Sequence, residues 1–143
     1  MNYENIKTIA NDDSMFINAG NNSTINLLSG TNISSTNKAI TGVYSTRSTV
    51  KNAGTITLTG DKSTALHSEG ITTAGHKVIN TGDITVGDSS NELSPSVGIY
   101  SANGTTSTVE SSGKVVAGNK STAIYAGNID LIGNSETTTG NGG

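Results

Sequence analysis

The side chains that could bind a metal or act as acids and bases are few in this chain, and they are widely spaced. His67 and His76 are nine residues apart and no Cys is present, so the close Cys and His spacings of structural zinc sites are missing. Asp12-Asp13 is an isolated acidic pair, which fits a solvated turn or the remnant of a helix cap better than a catalytic dyad. The sequence therefore predicts no metal site and no cofactor.

Three further carboxylates, those of Asp61, Asp83 and Asp88, each follow a glycine and are candidates for polysaccharide chemistry. Enzymes that hydrolyse polysaccharides bring paired carboxylates to either side of one glycosidic bond. Here the three acidic residues occupy predicted corners of the chain, and Arg47 is the only arginine. We therefore expect no enzymatic activity, and a carbohydrate-active enzyme stays as the least favoured alternative.

The composition favours strands and excludes several classes of protein. Gly, Asn, Thr and Ser make up more than half of the 143 residues, and the 14 Ile outnumber the 6 Leu, which favours pleated structure over helix. The net charge of −3 and the few aromatic residues offer no basic, base-stacking surface for nucleic acid. No apolar run is long enough to span a bilayer, so the chain is not predicted to cross a membrane itself.

An alternating motif, in which an aliphatic residue, a variable residue and a second aliphatic residue follow one another, occurs five times. The first aliphatic residues of successive copies are separated by 31, 28, 31 and 14 residues. Such alternation predicts a half-buried strand, because successive side chains of a strand point to opposite faces. An Asn-small-Gly or Ser-small-Gly corner precedes several of these strands, and glycine tolerates the backbone angles of tight turns. The copies are Ile25-Asn26-Leu27, Ile56-Thr57-Leu58, Ile84-Thr85-Val86, Val115-Val116-Ala117 and Ile129-Asp130-Leu131.

A period near thirty residues predicts coils that stack on one another, because one unit buries too few aliphatic side chains to fold alone. We expect an all-β parallel β-helix (a β-solenoid) of about five coils, with the right-handed coil that is usual for such folds. The solenoid is predicted to cover residues 15–135, with a polar cap at 1–14 and a Gly/Thr-rich linker or truncation tail at 136–143. The first aliphatic residues of the five copies should form one core column, the second aliphatic residues a second, and Val43, Leu66, Ile99 and Ile124 a third.

Two surface features are the candidates for ligand contact. Tyr44, Tyr100 and Tyr125 follow aliphatic residues that are predicted to point inward, so their rings should point outward and suit protein or sugar binding. Residues 88–95 contain the only Pro and lengthen one repeat, so they are predicted to form a loop that leaves the wall. In this loop Asn91, Glu92 and Leu93 are the candidate contact residues.

The phrases Asn80-Thr81-Gly82-Asp83-Ile84-Thr85-Val86-Gly87 and Ser96-Val97-Gly98-Ile99-Tyr100-Ser101 resemble the passenger repeats of large autotransporter adhesins of Gram-negative bacteria. The resemblance covers about residues 15–135. It implies a segment of a longer secreted protein, displayed on the cell surface at the outer membrane, with a signal sequence upstream and an outer-membrane domain at the C-terminal end.

The resemblance also implies a function. The segment would be a rigid stalk or adhesive surface in cell attachment, and its partners would be a host-cell or bacterial surface protein or glycan and the adjacent coils of the same longer chain. A module of a trimeric adhesin or of a phage tail-spike fibre is the alternative, because such proteins carry similar Asn, Thr, Ser and Gly surfaces.

Overall fold

The computed structural model describes residues 1–3, 8, 11–20, 22–70, 77–102 and 107–143. Within these residues the regular secondary structure consists of sixteen strands, which form three sheets in which every strand pairs in parallel with the equivalent strand of the next coil. Each of the five coils crosses the three sheets in the same order. The predicted parallel β-helix of about five coils is confirmed.

Sheet 1 contains β2 (Met15–Gly20), β5 (Thr41–Thr46), β8 (Thr64–Glu69), β11 (Val97–Ala102) and β14 (Thr122–Ala126). Sheet 2 contains β1 (Asn2–Tyr3), β3 (Thr24–Leu27), β6 (Thr49–Asn52), β9 (Val78–Asn80), β12 (Thr108–Ser111) and β15 (Asn128–Leu131). Sheet 3 contains β4 (Asn32–Ser35), β7 (Thr55–Leu58), β10 (Asp83–Val86), β13 (Lys114–Ala117) and β16 (Glu136–Thr139).

The core is a set of aliphatic columns that run along the axis of the solenoid. In sheet 1 the predicted column of Val43, Leu66, Ile99 and Ile124 is confirmed by the strand register. In sheet 3 Ile56, Ile84 and Val115 are in register as predicted, and Leu58, Val86 and Ala117 form the neighbouring column. The six sheet 3 residues of these columns are at most 2% exposed, so one chain closes its own core.

The predicted membership of two columns was wrong at both ends of the chain. Ile25 and Ile129 lie in sheet 2, where Ile25 pairs with Val50 and Ile129 with Val109, and Leu27 and Leu131 lie in the same sheet. The missing member of sheet 3 is Ile33, which pairs with Ile56. The alternating motif lies in sheet 2 in the first and last coils and in sheet 3 in the three middle coils, so aligning its copies mixes the two sheets.

The second inward column of sheet 2 is polar in the middle of the solenoid. Asn52, Asn80 and Ser111 occupy it, in register and buried, although the sequence pattern placed them at the corners that precede strands. The Nδ2 group of Asn52 donates to Oδ1 of Asn80 at 2.8 Å. The Nδ2 group of Asn80 donates to the carbonyl of Gly82 at 3.0 Å and to Oγ of Ser111 at 3.3 Å. This amide ladder satisfies buried polar groups across three coils.

Sheet 1 contains a contrasting column of buried hydroxyl groups. Ser45, Ser68 and Ser101 are in register and at most 1% exposed, and none of their Oγ atoms has a hydrogen-bond partner among the described protein atoms. At the two ends of the same column the residues are Ala19 and Ala126. A buried hydroxyl without a partner keeps its desolvation cost, and alanine already fits this column.

Ser68→Ala is therefore expected to leave the free energy of unfolding unchanged or to raise it by up to about 1 kcal/mol, because the substitution removes an unpaired buried hydroxyl. Urea denaturation followed by far-UV circular dichroism measures this change. A loss of stability well above 1 kcal/mol would contradict the expectation, because it would mean that the hydroxyl makes a stabilising hydrogen bond.

The corners between sheets 3 and 1 are joined from coil to coil by side-chain oxygen atoms. Oδ1 of Asp12 accepts from the backbone N–H of Lys38 at 2.8 Å, which is the main reason that the pKa of Asp12 lies below its usual value. Oδ1 of Asp88 accepts from the N–H of Asn119 at 2.7 Å, and Oδ1 of Asn119 accepts from the N–H of Asn141 at 2.8 Å. Asp12 thus serves as a turn residue.

Strands pair with the solenoid at both ends of the chain. The 136–143 segment, predicted to be a linker or tail, contains β16, which pairs with β13 in parallel and adds an ion pair of 3.4 Å between Lys114 and Glu136. Threonines favour strands, and backbone pairing needs no apolar side chain. Within the predicted cap, β1 pairs with β3. Over the described residues no helical segment has the length and hydropathy that crossing a bilayer requires.

Candidate functional site

The outer face of sheet 1 carries a ladder of rings, to which each of four successive coils contributes one. Tyr44, His67, Tyr100 and Tyr125 are in register on neighbouring strands. The ring centroids are separated by 5.0, 4.7 and 5.2 Å in order along the ladder. The Tyr100 and Tyr125 rings are stacked with an interplanar angle of 9°, whereas the other two pairs are tilted by 34° and 40°.

The stacking decides which part of each ring a ligand could reach. The rings of Tyr44, His67 and Tyr100 are half-buried, because each packs against its neighbours on the adjacent coils. Tyr125, on the last strand of the sheet, is 59% exposed. The ladder therefore offers ring edges and hydroxyl groups along its length and a free ring face only at Tyr125. Ligand contact at the three tyrosines stays a prediction.

Glu69 joins the ladder, although the sequence pattern did not single it out. The hydroxyl of Tyr44 donates to Oε2 of Glu69 at 3.0 Å, and Nε2 of His67 lies 2.7 Å from Oε1 of Glu69. The hydrogen bond with His67, followed by that from Tyr44, lowers the pKa of Glu69, and the same carboxylate raises the pKa of Tyr44. The only sequence signal for this role was its position two residues after His67 in the alternating strand.

The 88–95 loop is held against the wall of the solenoid by Asp61. Oδ1 of Asp61 accepts hydrogen bonds from the Ser89 hydroxyl at 3.0 Å and from the Ser90 backbone N–H at 3.1 Å, and Oδ2 accepts from the Ser90 hydroxyl. Ser89 is buried, and its hydroxyl also lies 2.9 Å from the carbonyl oxygen of Ser94. The beginning of the loop is thus tied to one carboxylate on the preceding coil.

The hydrogen bonds from Ser90, its side chain first and its backbone next, lower the pKa of Asp61 to about 2. A lowered pKa means that the carboxylate stabilises the folded loop above its ordinary value near 3.8 and loses this effect as the pH falls through about 2. The loop should therefore stay anchored at every pH above about 4.

The tip of the loop contains the three predicted contact residues. Asn91, Glu92 and Leu93 are all exposed, and Leu93 is exposed by 86%. Oδ1 of Asn91 accepts from the N–H of Leu93 at 2.9 Å, which fixes the turn. Among the described residues no hydrogen bond or ion pair holds the side chain of Glu92. The loop presents an acidic and an aliphatic side chain side by side on an anchored turn.

Asp61→Ala is expected to release this loop, because the substitution removes its three hydrogen bonds to Ser89 and Ser90. Cleavage after Glu92 by a glutamate-specific protease should become faster on the order of tenfold, since the loop opens more often. Limited proteolysis at neutral pH, followed by mass spectrometry, measures the rate. Asp83→Ala is the matched control, because Asp83 is an exposed strand residue away from the loop. Equal cleavage rates for the two variants would contradict the role of Asp61.

The three aspartates of the enzyme alternative have separate surroundings. Asp61 anchors the loop, Asp88 accepts from the Asn119 backbone, and Asp83 begins β10. Across the part of the chain that the structure describes, no group of three or more His, Cys, Asp or Glu residues could hold a metal ion. His76 lies outside the described residues. The contacts of Asp61 and Asp88 are those of structural residues.

The chain matches none of the family models, curated proteins or solved structures with which it was compared. The functional conclusion therefore rests on the fold, the ring ladder and the loop.

Proposed function

We propose that this chain is a segment of a surface-displayed adhesin of the autotransporter type, in which it acts as a rigid β-helical stalk and adhesive surface in cell attachment. The observation that carries the proposal is the closure of the core within one chain, along three uninterrupted parallel ladders. A structure in which each coil is fixed by its neighbours resists bending and suits a spacer. Its place would be the cell surface, displayed at the outer membrane as part of a longer protein.

The anchored loop supports an adhesive role in addition to that of a spacer. Binding residues are common in loops that a rigid scaffold positions, and this loop is fixed by Asp61 while Leu93 stays exposed. The partners would be a protein or glycan of a host cell or of another bacterium. The ring ladder of sheet 1 would provide a second, flatter contact surface.

The alternative is a module of a trimeric adhesin or a phage tail-spike fibre. The aliphatic residues of the central coils are buried without any partner chain, which favours a solenoid that is complete as a monomer. Light scattering at micromolar concentration tests this choice. A trimer would favour the alternative, whereas a monomer would support the single-chain stalk.

Attachment is tested with fluorescent microspheres that carry the purified chain, incubated with epithelial cells and with bacterial cells. We expect binding above that of uncoated microspheres, with a reduction for Leu93→Ala if the loop is the contact and for Tyr100→Ala if the ladder is. Binding to neither class of cell would overturn the adhesive part of the proposal and leave a spacer alone. Circular dichroism of each variant verifies that the fold is intact.

A further inference from the structure

A groove of about 250 Å³ lies on the outside of sheet 2, where three successive coils turn toward sheet 3. One side is formed by the outward residues of β3, β6 and β9, which are in register, and the other side by the first residues of the following corners. Its principal lining residues are Asn26, Leu28, Lys51, Ala53, Ile79 and Thr81.

The residues of the middle coil determine the shape of the groove and provide its positive charge. Ala53 carries only a methyl group between the larger Leu28 on the preceding coil and Thr81 on the following one, so the wall is recessed at this point. Leu28 and Ile79 make the recess apolar. Lys51 is exposed at its edge, and among the described residues no hydrogen bond or ion pair holds its side chain. The groove thus combines an apolar floor with one basic group.

The tip of the 88–95 loop has the complementary properties. Leu93 is 86% exposed and Glu92 is its neighbour, so an aliphatic and an acidic group project together from an anchored turn. A cavity of about 150 Å³ accommodates a ligand as large as benzene, so the groove has room for a leucine side chain. Since Leu93 is exposed in the same structure in which the groove is open, the two are not joined within one chain.

We infer that the loop of one copy docks in the groove of a second copy, with Leu93 against Leu28 and Ile79 and with Glu92 beside Lys51. The loop and the groove are different surfaces, so the contact is either reciprocal between two copies or propagates from copy to copy. One aliphatic side chain and one ion pair bind weakly, so association becomes strong only where many copies face one another. This inference goes beyond the proposed function, because it concerns the isolated chain and needs no receptor on a cell.

The test is the aggregation of microspheres that carry the full chain, measured by turbidity at low salt. Lys51→Glu and Glu92→Lys, each tested alone, are expected to slow aggregation on the order of tenfold, because like charges then meet in the contact. When the two types of microsphere are mixed, the loop tip of the Glu92→Lys variant can meet the groove of the Lys51→Glu variant, and aggregation should return. Leu93→Ala should slow aggregation whether or not the charges match.

Two control variants make the test decisive. Lys120→Glu changes the net charge equally but lies at an exposed corner outside the groove, so it should aggregate as the original chain does. Leu131→Asn changes a half-exposed residue at the end of the solenoid and leaves the loop and the groove intact. If microspheres that carry this variant no longer aggregate, the copies associate end to end, and the inference is overturned. Failure of the mixed microspheres to aggregate, or no aggregation of the original chain, would also overturn it. Lys51 lies outside the loop and the ring ladder, so Lys51→Glu should slow aggregation without changing binding to cells, and the two proposals fail separately.

Discussion

Replacing Asn80 with Ala is expected to lower the free energy of unfolding by about 3 kcal/mol, because several buried polar groups lose their partners at once. The side chain of Asn80 accepts from Asn52 and donates to the carbonyl of Gly82 and to Ser111, all of them buried. Urea denaturation followed by far-UV circular dichroism measures the change.

Ser68→Ala is the matched control for this prediction, since Ser68 is equally buried but its hydroxyl has no described partner. The changes that the two substitutions make in the free energy of unfolding should therefore differ in sign or by several-fold. Equal losses of stability would contradict the account, because the effect would then follow burial of a polar group and not its hydrogen bonds.

Gly82→Ala is expected to destabilise the protein by about 3 kcal/mol or more, because the added methyl group has no room. A Cβ atom on Gly82 would lie 2.0 Å from the carbonyl oxygen of Gly54 and 2.9 Å from the carbonyl carbon of Ala53. Both are backbone atoms of the preceding coil, so relief requires the two coils to separate at this corner. Thermal and urea unfolding measure the loss.

Gly20→Ala is the control for Gly82→Ala. Gly20 also lies in the solenoid, at the end of β2, but a Cβ atom there would meet nothing within 4 Å. Gly20→Ala should change the free energy of unfolding by no more than about 0.5 kcal/mol. A small effect at Gly82 would show that the coils are less closely stacked than the structure has them.

The fold class was predictable because the residue types show both the alternation of aliphatic and polar side chains and the period at which it repeats. Ile56-Thr57-Leu58 and Ile84-Thr85-Val86 repeat the pattern of a half-buried strand, and the structure has them in register. Sheet 2 was not recognised as a separate sheet, because its inward pair becomes Val50 and Asn52 in the middle of the solenoid. An asparagine followed by a small residue and glycine is typical of a turn, so the buried role of Asn52 and Asn80 had no separate signal.

Variable coil length also limited the prediction. Equivalent residues are separated by 20 residues between Val109 and Ile129 but by 33 between Leu66 and Ile99. Corners and loops absorb such differences without changing the register of the strands, so one period cannot align all copies. The threonine-rich β16 was missed because its pairing depends on the backbone of β13 and not on apolar side chains.

The candidate surfaces were predictable to different degrees. The loop was indicated by a repeat that is longer than the others and contains the only proline. The ring ladder was indicated by tyrosines at equivalent positions of the repeats. The roles of Glu69 and Asp61 depend on contacts between coils, 25 and 29 residues apart in sequence, which single residues do not reveal. The groove depends on a small residue, Ala53, between larger ones on neighbouring coils, which requires the register to be known.

The central claim, a rigid rod of coils stacked in register, is tested most directly by distances between spin labels along one column of sheet 3. The chain has no Cys, so cysteines introduced for labelling are unique. Ser34, Thr57, Thr85, Val116 and Thr138 occupy equivalent positions on five successive strands.

Labels at Thr57 and Thr138 span three strand spacings, about 14 Å, and labels at Ser34 and Thr138 span four, about 19 Å. We expect two narrow distance distributions that differ by about 5 Å. Broad distributions, or a mean distance that does not grow with the number of coils between the labels, would contradict the stacked, rigid solenoid on which the proposed stalk depends.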